Sequence, residues 1–307
     1  MEQREYPRTA CVARKAGSLN WHRSYRNALA SGVGTACMDR SLLVAVVVGV
    51  LQGIFEWLPI SSEGNLTVVL SWLGESPEQA VAFALFVHLG TALSATAYYR
   101  GEIREELGLL WTWRPARATA DSHATTTFLA VATLVSGVVG LASYAVLEEV
   151  VSALTGGAVV VAIGVLLVAT GAFQRLSASV DRTPPENPGL LDAVLVGVAQ
   201  GVAILPGISR SGSTTGVLLL RGHEGPASFR LSFLLSIPAA VGGGLLAALD
   251  TGLAGVTLVG GVAALASAAL VGYLTIDALM RVVERVAFWV VCVGLGALAI
   301  AGGVLVL

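Results

Sequence analysis

Apolar residues run in long blocks along most of this chain, and polar residues cluster between the blocks. A helix needs about 20 apolar residues to cross a bilayer. Six blocks reach that length, at about 80–99, 125–147, 155–174, 229–248, 254–275 and 286–306, each bounded by charges, glycine or proline. Two others, 42–73 and 190–221, are broken near the middle by proline and a patch of serine and glycine. Each half is too short to span. Irregular backbone at membrane depth is tolerated only where protein buries it or where it lines a cavity. The pattern therefore predicts six transmembrane helices and two re-entrant helical hairpins.

The two broken blocks resemble each other. "VVGVLQGIFEWLPISSEG" (47–64) lies beside "LVGVAQGVAILPGISRSG" (195–212). Gly49, Gln52, Gly53, Leu58, Pro59, Ile60, Ser61 and Gly64 match Gly197, Gln200, Gly201, Leu205, Pro206, Ile208, Ser209 and Gly212, with one gap on either side of the Leu-Pro pair. Downstream, "AFALFVHLGTALSA" (82–95) parallels "SFRLSFLLSIPAAV" (228–241) more weakly. The chain reads as a duplication, a hairpin plus three spans, repeated. Three is odd, so the second copy is inverted relative to the first, and the two hairpins enter from opposite faces to meet near the midplane. The expected fold is an all-α polytopic membrane protein, one domain over 38–307, with repeat one at 38–175 and repeat two at 188–307.

Composition agrees: of 307 residues 55% are hydrophobic and only 12% charged, against about a quarter charged in a soluble domain. Mean hydropathy is +0.78. Residues 1–37 differ; they are polar and basic, hold the only lysine, Lys15, and lack the apolar core of a signal peptide. They read as a disordered tail or, preferably, as the product of a start assigned too early, before Met38. The net charge of −2 carries no information on partners. No basic face or aromatic platform suggests nucleic acid. Cys11, Cys37 and Cys292 form no disulfide framework, and His22, His88, His123 and His223 show no zinc spacing. Arg100, Arg104, Arg114, Arg117, Arg175, Arg182, Arg221, Arg281 and Arg285 fall in the loops of one face, while Glu75, Glu78, Glu148, Glu149 and Asp250 fall on the other. The positive-inside rule makes the arginine face cytoplasmic, so the first hairpin opens outward and the second inward.

The polar residues of the two breaks are the candidates for chemistry. Gln52 and Glu56 share one helix face, being four apart. Glu56 is an acid inside an apolar helix, and Arg210 is a cation at membrane depth; such groups are functional by default. The planar arginine fork suits phosphate oxygens, and hydroxyls and free N–H groups at a helix start suit an anion. Glu56 then handles protons or holds Mg²⁺ or Ca²⁺. Ser62 can serve as a nucleophile. His88 is either a packed histidine or a pocket-lining one, and solvent exposure alone explains Glu63 at the hairpin tip. A membrane serine or threonine taken singly usually bonds back to its own backbone.

At these residues the chain resembles the undecaprenyl-diphosphatase family, also called the bacitracin-resistance family. The resemblance runs from about Met38 to the C-terminus and rests on a Glu/Gln-x-x-x-Glu, with Gln52 and Glu56, and a Pro-Gly-x-Ser-Arg-Ser-x-x-Thr, with Pro206, Gly207, Ser209, Arg210, Ser211 and Thr214. It implies a phosphatase that removes the terminal phosphate of a polyprenyl diphosphate at the outer face of the plasma membrane and needs a divalent cation, Mg²⁺ or Ca²⁺. It also implies Glu56, Ser62 and Arg210 as catalytic residues and Gln52, Ser61, Asn65, Ser209, Ser211 and Thr214 as substrate-binding ones, with Glu56 as a metal ligand. One departure stands out. The family has histidine three residues after the second serine of its "SS", where this chain has Asn65. An acid/base role for that histidine passes here to Glu56, to water or to His88; otherwise the histidine only orients groups. Direct attack by water beside Glu56 stays open next to Ser62.

The bilayer and a polyprenyl diphosphate are the expected partners, and a homodimer is left open. The rival reading is a flippase or ion-coupled transporter of a polyprenyl phosphate or another anionic lipid, since inverted repeats with broken helices serve carriers too.

Overall fold

The computed structural model describes residues 33–115, 118, 122–179, 184–252, 256–283 and 285–307, with side chains from Ser41 onward. The expected extension falls outside the described residues over 1–32, as do Arg117 and Arg182. Among the described residues there are eleven α-helices and no strand: α1 (Val33–Phe55), α2 (Ser62–Trp72), α3 (Pro77–Tyr98), α4 (Arg100–Leu110), α5 (Ala124–Ala153), α6 (Gly156–Ser177), α7 (Leu190–Val202), α8 (Arg210–Leu220), α9 (Gly225–Thr251), α10 (Leu258–Val283) and α11 (Phe288–Val304).

Five of the six expected spans, α3, α5, α6, α9 and α10, are long and apolar enough to cross a membrane. The sixth, α11, has 17 helical residues and falls just short. The two broken blocks are broken where proline stands, at 56–61 and 203–209. α1 is longer than the sequence pattern suggests, because helix begins at Val33, ahead of Met38, although its apolar part is Ser41–Phe55. α4 is a short helix within what reads as a loop. None of its side chains is buried. Arg230 Nε on α9 reaches Glu102 Oε2 at 2.5 Å, and Thr126 Oγ1 donates to Glu106 Oε2 at 2.6 Å, so α4 is tied to two spans.

Helix starts follow from local chemistry. Ser76 caps α3, accepting from Gln79 N at 3.4 Å, with Pro77 in the first turn, where its missing N–H costs nothing. Thr155 caps α6 in the same way.

Lipid offers little hydrophobic drive between helices, so they pack through small residues that let backbones approach. α6 lies against α11 along Gly157, Gly164 and Gly171; a Cβ on Gly164 would come within 2.6 Å of Gly296 O, and one on Gly296 within 2.6 Å of Gly164 O. Two further seams matter for the site. α1 sits on α10 through Gly49 and Gly53, where an added Cβ would lie 2.3 Å from Ala264 O and 2.8 Å from Gly272 N. α7 sits on α5 through Gly197 and Gly201, where it would lie 2.8 Å from Ala132 O and 2.8 Å from Gly140 N. Each pair is four residues apart and so marks one helix face. α3 packs on both α9 and α10, placing the two breaks beside the centre of the bundle. Trp57, fully buried at the end of α1, donates from Nε1 to Gly272 O at 3.1 Å and meets Phe233 edge-on.

Candidate active site

Both breaks end in the same way. Ser61 caps α2 and accepts from Gly64 N at 3.3 Å; Ser209 caps α8 and accepts from Gly212 N at 3.1 Å. Ser61 has φ +60°, a left-handed conformation that costs a non-glycine residue energy and persists only where neighbours enforce it. Asn65 enforces it, its Nδ2 donating to Ile60 O at 2.7 Å and Ser61 O at 2.9 Å. The two breaks touch: Gly207 N donates to Ser61 Oγ at 3.1 Å, and a Cβ on Gly64 would lie 2.5 Å from Gly207 N. α6 holds both. Gln174 Nε2 donates to Pro59 O at 2.6 Å and Thr170 Oγ1 to Gly207 O at 3.1 Å.

The first residue of α2 is Ser62 and that of α8 is Arg210. Between them stands Glu56. Its Oε1 pairs with Arg210 NH2, while Oε2 accepts from Gln52 Nε2 at 2.9 Å and Ser62 Oγ at 3.1 Å. Arg210 NH1 donates to Ser232 O and Oγ at 3.3 and 3.4 Å, and its guanidinium lies 5.7 Å from the centre of the Phe233 ring. His88, on α3, brings Nε2 to 3.2 Å from Glu56 Oε2 and 3.4 Å from Ser62 Oγ. A carboxylate from the first break and a hydroxyl, an imidazole and a guanidinium from three helices thus converge.

They line one side of a cavity of about 490 Å³. The rest of its wall is mostly apolar, with Gly137, Gly140 and Leu141 of α5 and Gly242, Gly243 and Leu246 of α9, interrupted by Thr133, Ser136, Gln200 and Ser236. Pro238, inside α9, also lines it and leaves one backbone carbonyl without its helical donor.

Of the residues expected from sequence, Glu56, Ser61, Ser62, Ser209, Arg210 and Ser211 line this cavity. Gln52, Asn65 and Thr214 stand behind it. Gln52 steadies Glu56, Asn65 holds the Ser61 turn, and Thr214 Oγ1 lies 2.6 Å from Ser232 Oγ, behind Arg210. Glu63 corrects the solvent-exposed reading: it is 6% exposed, and its Oε1 has no hydrogen-bond partner among the described residues. The N-terminus of α2 brings it inward rather than to the tip's surface. His88 faces the cavity, which decides between its two readings. Ser232 is the residue that sequence reasoning missed. Its one signal is a hydroxyl in the apolar run "FRLSFLLSIP", which by itself is an ordinary self-bonded serine.

Among the described residues no three His, Cys, Asp or Glu side chains converge as a cation cage. Glu56, expected as a ligand, has both oxygens engaged by protein donors and does not fit that role. The orphaned oxygen of buried Glu63 is the donor that does fit. Mg²⁺ is commonly held by one or two carboxylates together with substrate phosphates, without a full protein cage.

Comparison with known proteins follows the same residues. The family model described as bacitracin resistance protein BacA matches residues 45–300. Similar proteins include the undecaprenyl-diphosphatase of Haloarcula marismortui, 48% identical over 86% of this chain and 98% of that protein. That of Methanococcoides burtonii is 37% identical over 85% and 97%, and that of Methanopyrus kandleri 39% identical over 84% and 95%. The matched region contains both breaks, all the cavity's polar residues and the glycine seams that set them, and on this ground the chain belongs to the bacitracin resistance protein BacA family.

Proposed function

We propose that the chain is a membrane phosphatase that hydrolyses undecaprenyl diphosphate to the monophosphate lipid carrier and inorganic phosphate. The observation that carries this reading is the meeting of Glu56, Ser62 and Arg210 in a largely apolar cavity. Arg210 grips the terminal phosphate with its planar fork. The N–H groups at the starts of α8 and α2 add donors for the remaining oxygens. Ser62 Oγ attacks the terminal phosphorus, and the bond to the bridging oxygen breaks, releasing the lipid monophosphate. Water then hydrolyses the phosphoserine. Glu56 holds Ser62 and Arg210 in place. The glycine-paved walls of α5 and α9 accept the first part of the isoprenoid.

In this reading 56–61 and 203–209 are the tips of re-entrant hairpins in an inverted duplication. Reciprocal packing supports it. α1 lies on α10, the second span of repeat two, and α7 lies on α5, the second span of repeat one. The arginine census puts the face of α4 in the cytoplasm and opens the site to the outer face of the plasma membrane.

A divalent cation, Mg²⁺ or Ca²⁺, belongs to this reading, with Glu63 and the diphosphate oxygens as its holders. When bound it neutralises charge on the diphosphate.

The experiment is phosphate release from undecaprenyl diphosphate by purified protein in detergent, with and without EDTA. Release that EDTA abolishes and Mg²⁺ or Ca²⁺ restores is expected. Movement of the lipid between leaflets without phosphate release would make the chain a transporter instead.

A further inference from the structure

The roles above leave the proton of Ser62 Oγ without a destination. Glu56 is poorly suited to take it. In the resting protein its Oε1 pairs with Arg210, and its Oε2 accepts from Gln52, a donor that stays in place when Arg210 turns to the phosphate. Asn65 is unsuited as well, because its amide nitrogen is spent on Ile60 O and Ser61 O. His88 is differently placed. Its Nδ1 lies 2.7 Å from Ala84 O. A carbonyl only accepts, so Nδ1 carries a hydrogen; Nε2 holds the lone pair in the neutral ring, the form that serves as base, and a hydrogen aimed at Glu56 Oε2 in the imidazolium. That nitrogen is the one 3.4 Å from Ser62 Oγ.

We propose that His88 is the general base of the reaction, a role resting on Ser62 as nucleophile. The Ser62 O–H turns about its Cβ–Oγ bond from Glu56 to Nε2. As Oγ bonds to phosphorus, its proton passes to Nε2, and the bridging oxygen leaves with the lipid monophosphate. Glu56 Oε2, 3.2 Å away, stabilises the imidazolium so formed. In the second half water attacks the phosphoserine. The imidazolium returns its proton to the departing Ser62 oxygen, and both hydrogens of the water leave with the phosphate as dihydrogen phosphate. Protons and charge balance over the cycle without a redox partner.

The surroundings concentrate this role on one ring. Glu56, Glu63 and Arg210 are the other charged groups lining the cavity. Near His88, α9 presents Gly243 and Gly244 to α3, and α10 presents Leu265 and Ala268, none of which titrates. The ring comes from α3, a different element from the one that carries the family's histidine position. The ring sits on a helix about 33 Å long, 22 residues at roughly 1.5 Å each, and one bond to its own backbone holds it.

The test compares wild type, His88→Gln and His88→Ala by phosphate release from undecaprenyl diphosphate, each checked by size-exclusion profile. Both variants should lose at least about a hundredfold in kcat, with KM little changed. Added imidazoles should restore turnover to His88→Ala, more strongly the more basic the imidazole, and leave His88→Gln unrestored. A well-folded His88→Gln with wild-type kcat overturns the proposal. So does a His88→Ala protein that is inactive yet answers to no imidazole, since a packing role predicts that result. Should the variants not fold, carbethoxylation of the wild-type chain, mapped by mass spectrometry, decides: activity that survives full modification of His88 overturns the role. Wild type that releases no phosphate overturns the phosphatase reading itself, which separates that failure from this one.

Discussion

The two breaks are built alike and carry different chemistry. Each follows a helix whose two glycines, four apart, press on a neighbouring span: Gly49 and Gly53 on α10, Gly197 and Gly201 on α5. Each buries a glutamine, Gln52 or Gln200, whose Oε1 has no partner among the described residues. Each ends in a serine cap followed by a short helix. The divergence sits at the residue after the cap, where one break has Ser62 and the other Arg210. It sits also in the preceding turn, where Glu56 has no acidic counterpart. A shared frame delivers two positions to one point, and a hydroxyl and a cation occupy them. The glutamines follow suit. Gln52 Nε2 serves Glu56, whereas Gln200 Nε2 stays structural, donating to Ser136 Oγ at 3.2 Å and Leu235 O at 3.3 Å.

The most severe way to break the comparison is to exchange its two halves. The double variant Ser62→Arg, Arg210→Ser keeps the composition and the caps but turns the polarity of the site around. Phosphate release should fall by more than about a thousandfold, each lost contact being worth 10²–10³. Activity within tenfold of wild type would mean that the two positions are interchangeable.

A finer cut is Arg210→Lys, which keeps the charge and loses the fork. A loss of about a hundredfold in phosphate release is expected, or roughly 3 kcal/mol of transition-state stabilisation. Wild-type turnover in that variant would remove Arg210 as the anchor.

Stability tests the frame rather than the chemistry. Gly53→Ala and Gly201→Ala should each cost about 1–3 kcal/mol by overpacking, and by similar amounts. Thermal unfolding in detergent reads this, and a loss at one position alone would show that the two seams are not equivalent.

The smallest expected effect separates the caps. Ser61→Ala and Ser209→Ala should each cost about 1 kcal/mol, with Ser61→Ala the larger because its oxygen also accepts from Gly207 N. The same unfolding measurement, run on both variants, checks the order.

Much of this was legible beforehand because it lies in local pattern. Apolar length announced the spans, and proline with serine announced both breaks. The pairing of Glu56 with Arg210 across 154 positions was anticipated only as a shared site, since register between helices is set by glycine seams whose partners no local pattern names. Ser232 and the orientation of His88 were hidden for that reason. α4 was hidden for another: Ile103, Leu107 and Leu110 recur at helical spacing, but at 11 residues among charges the segment is far too short to span and reads as a loop. Glu63 escapes the pattern because a carboxylate near a turn is ordinarily wet, whereas here the first turn of α2 carries it inward.

The contact between Glu56 and Arg210 makes the resting protein its own occupant. An anion entering the cavity does not find a vacant guanidinium; it competes with a carboxylate attached to the same fold, present at a fixed effective concentration and unable to diffuse away. Every phosphate therefore binds with its intrinsic affinity multiplied by the fraction of time the arginine is free. A lipid diphosphate has further contacts to offset that factor, through its second phosphate and its tail. Inorganic phosphate has none, so the carboxylate reclaims the arginine and the product departs. Inhibition by free phosphate should accordingly be weak in the wild type and strengthen in Glu56→Asn, measured as phosphate's competition with the lipid for binding.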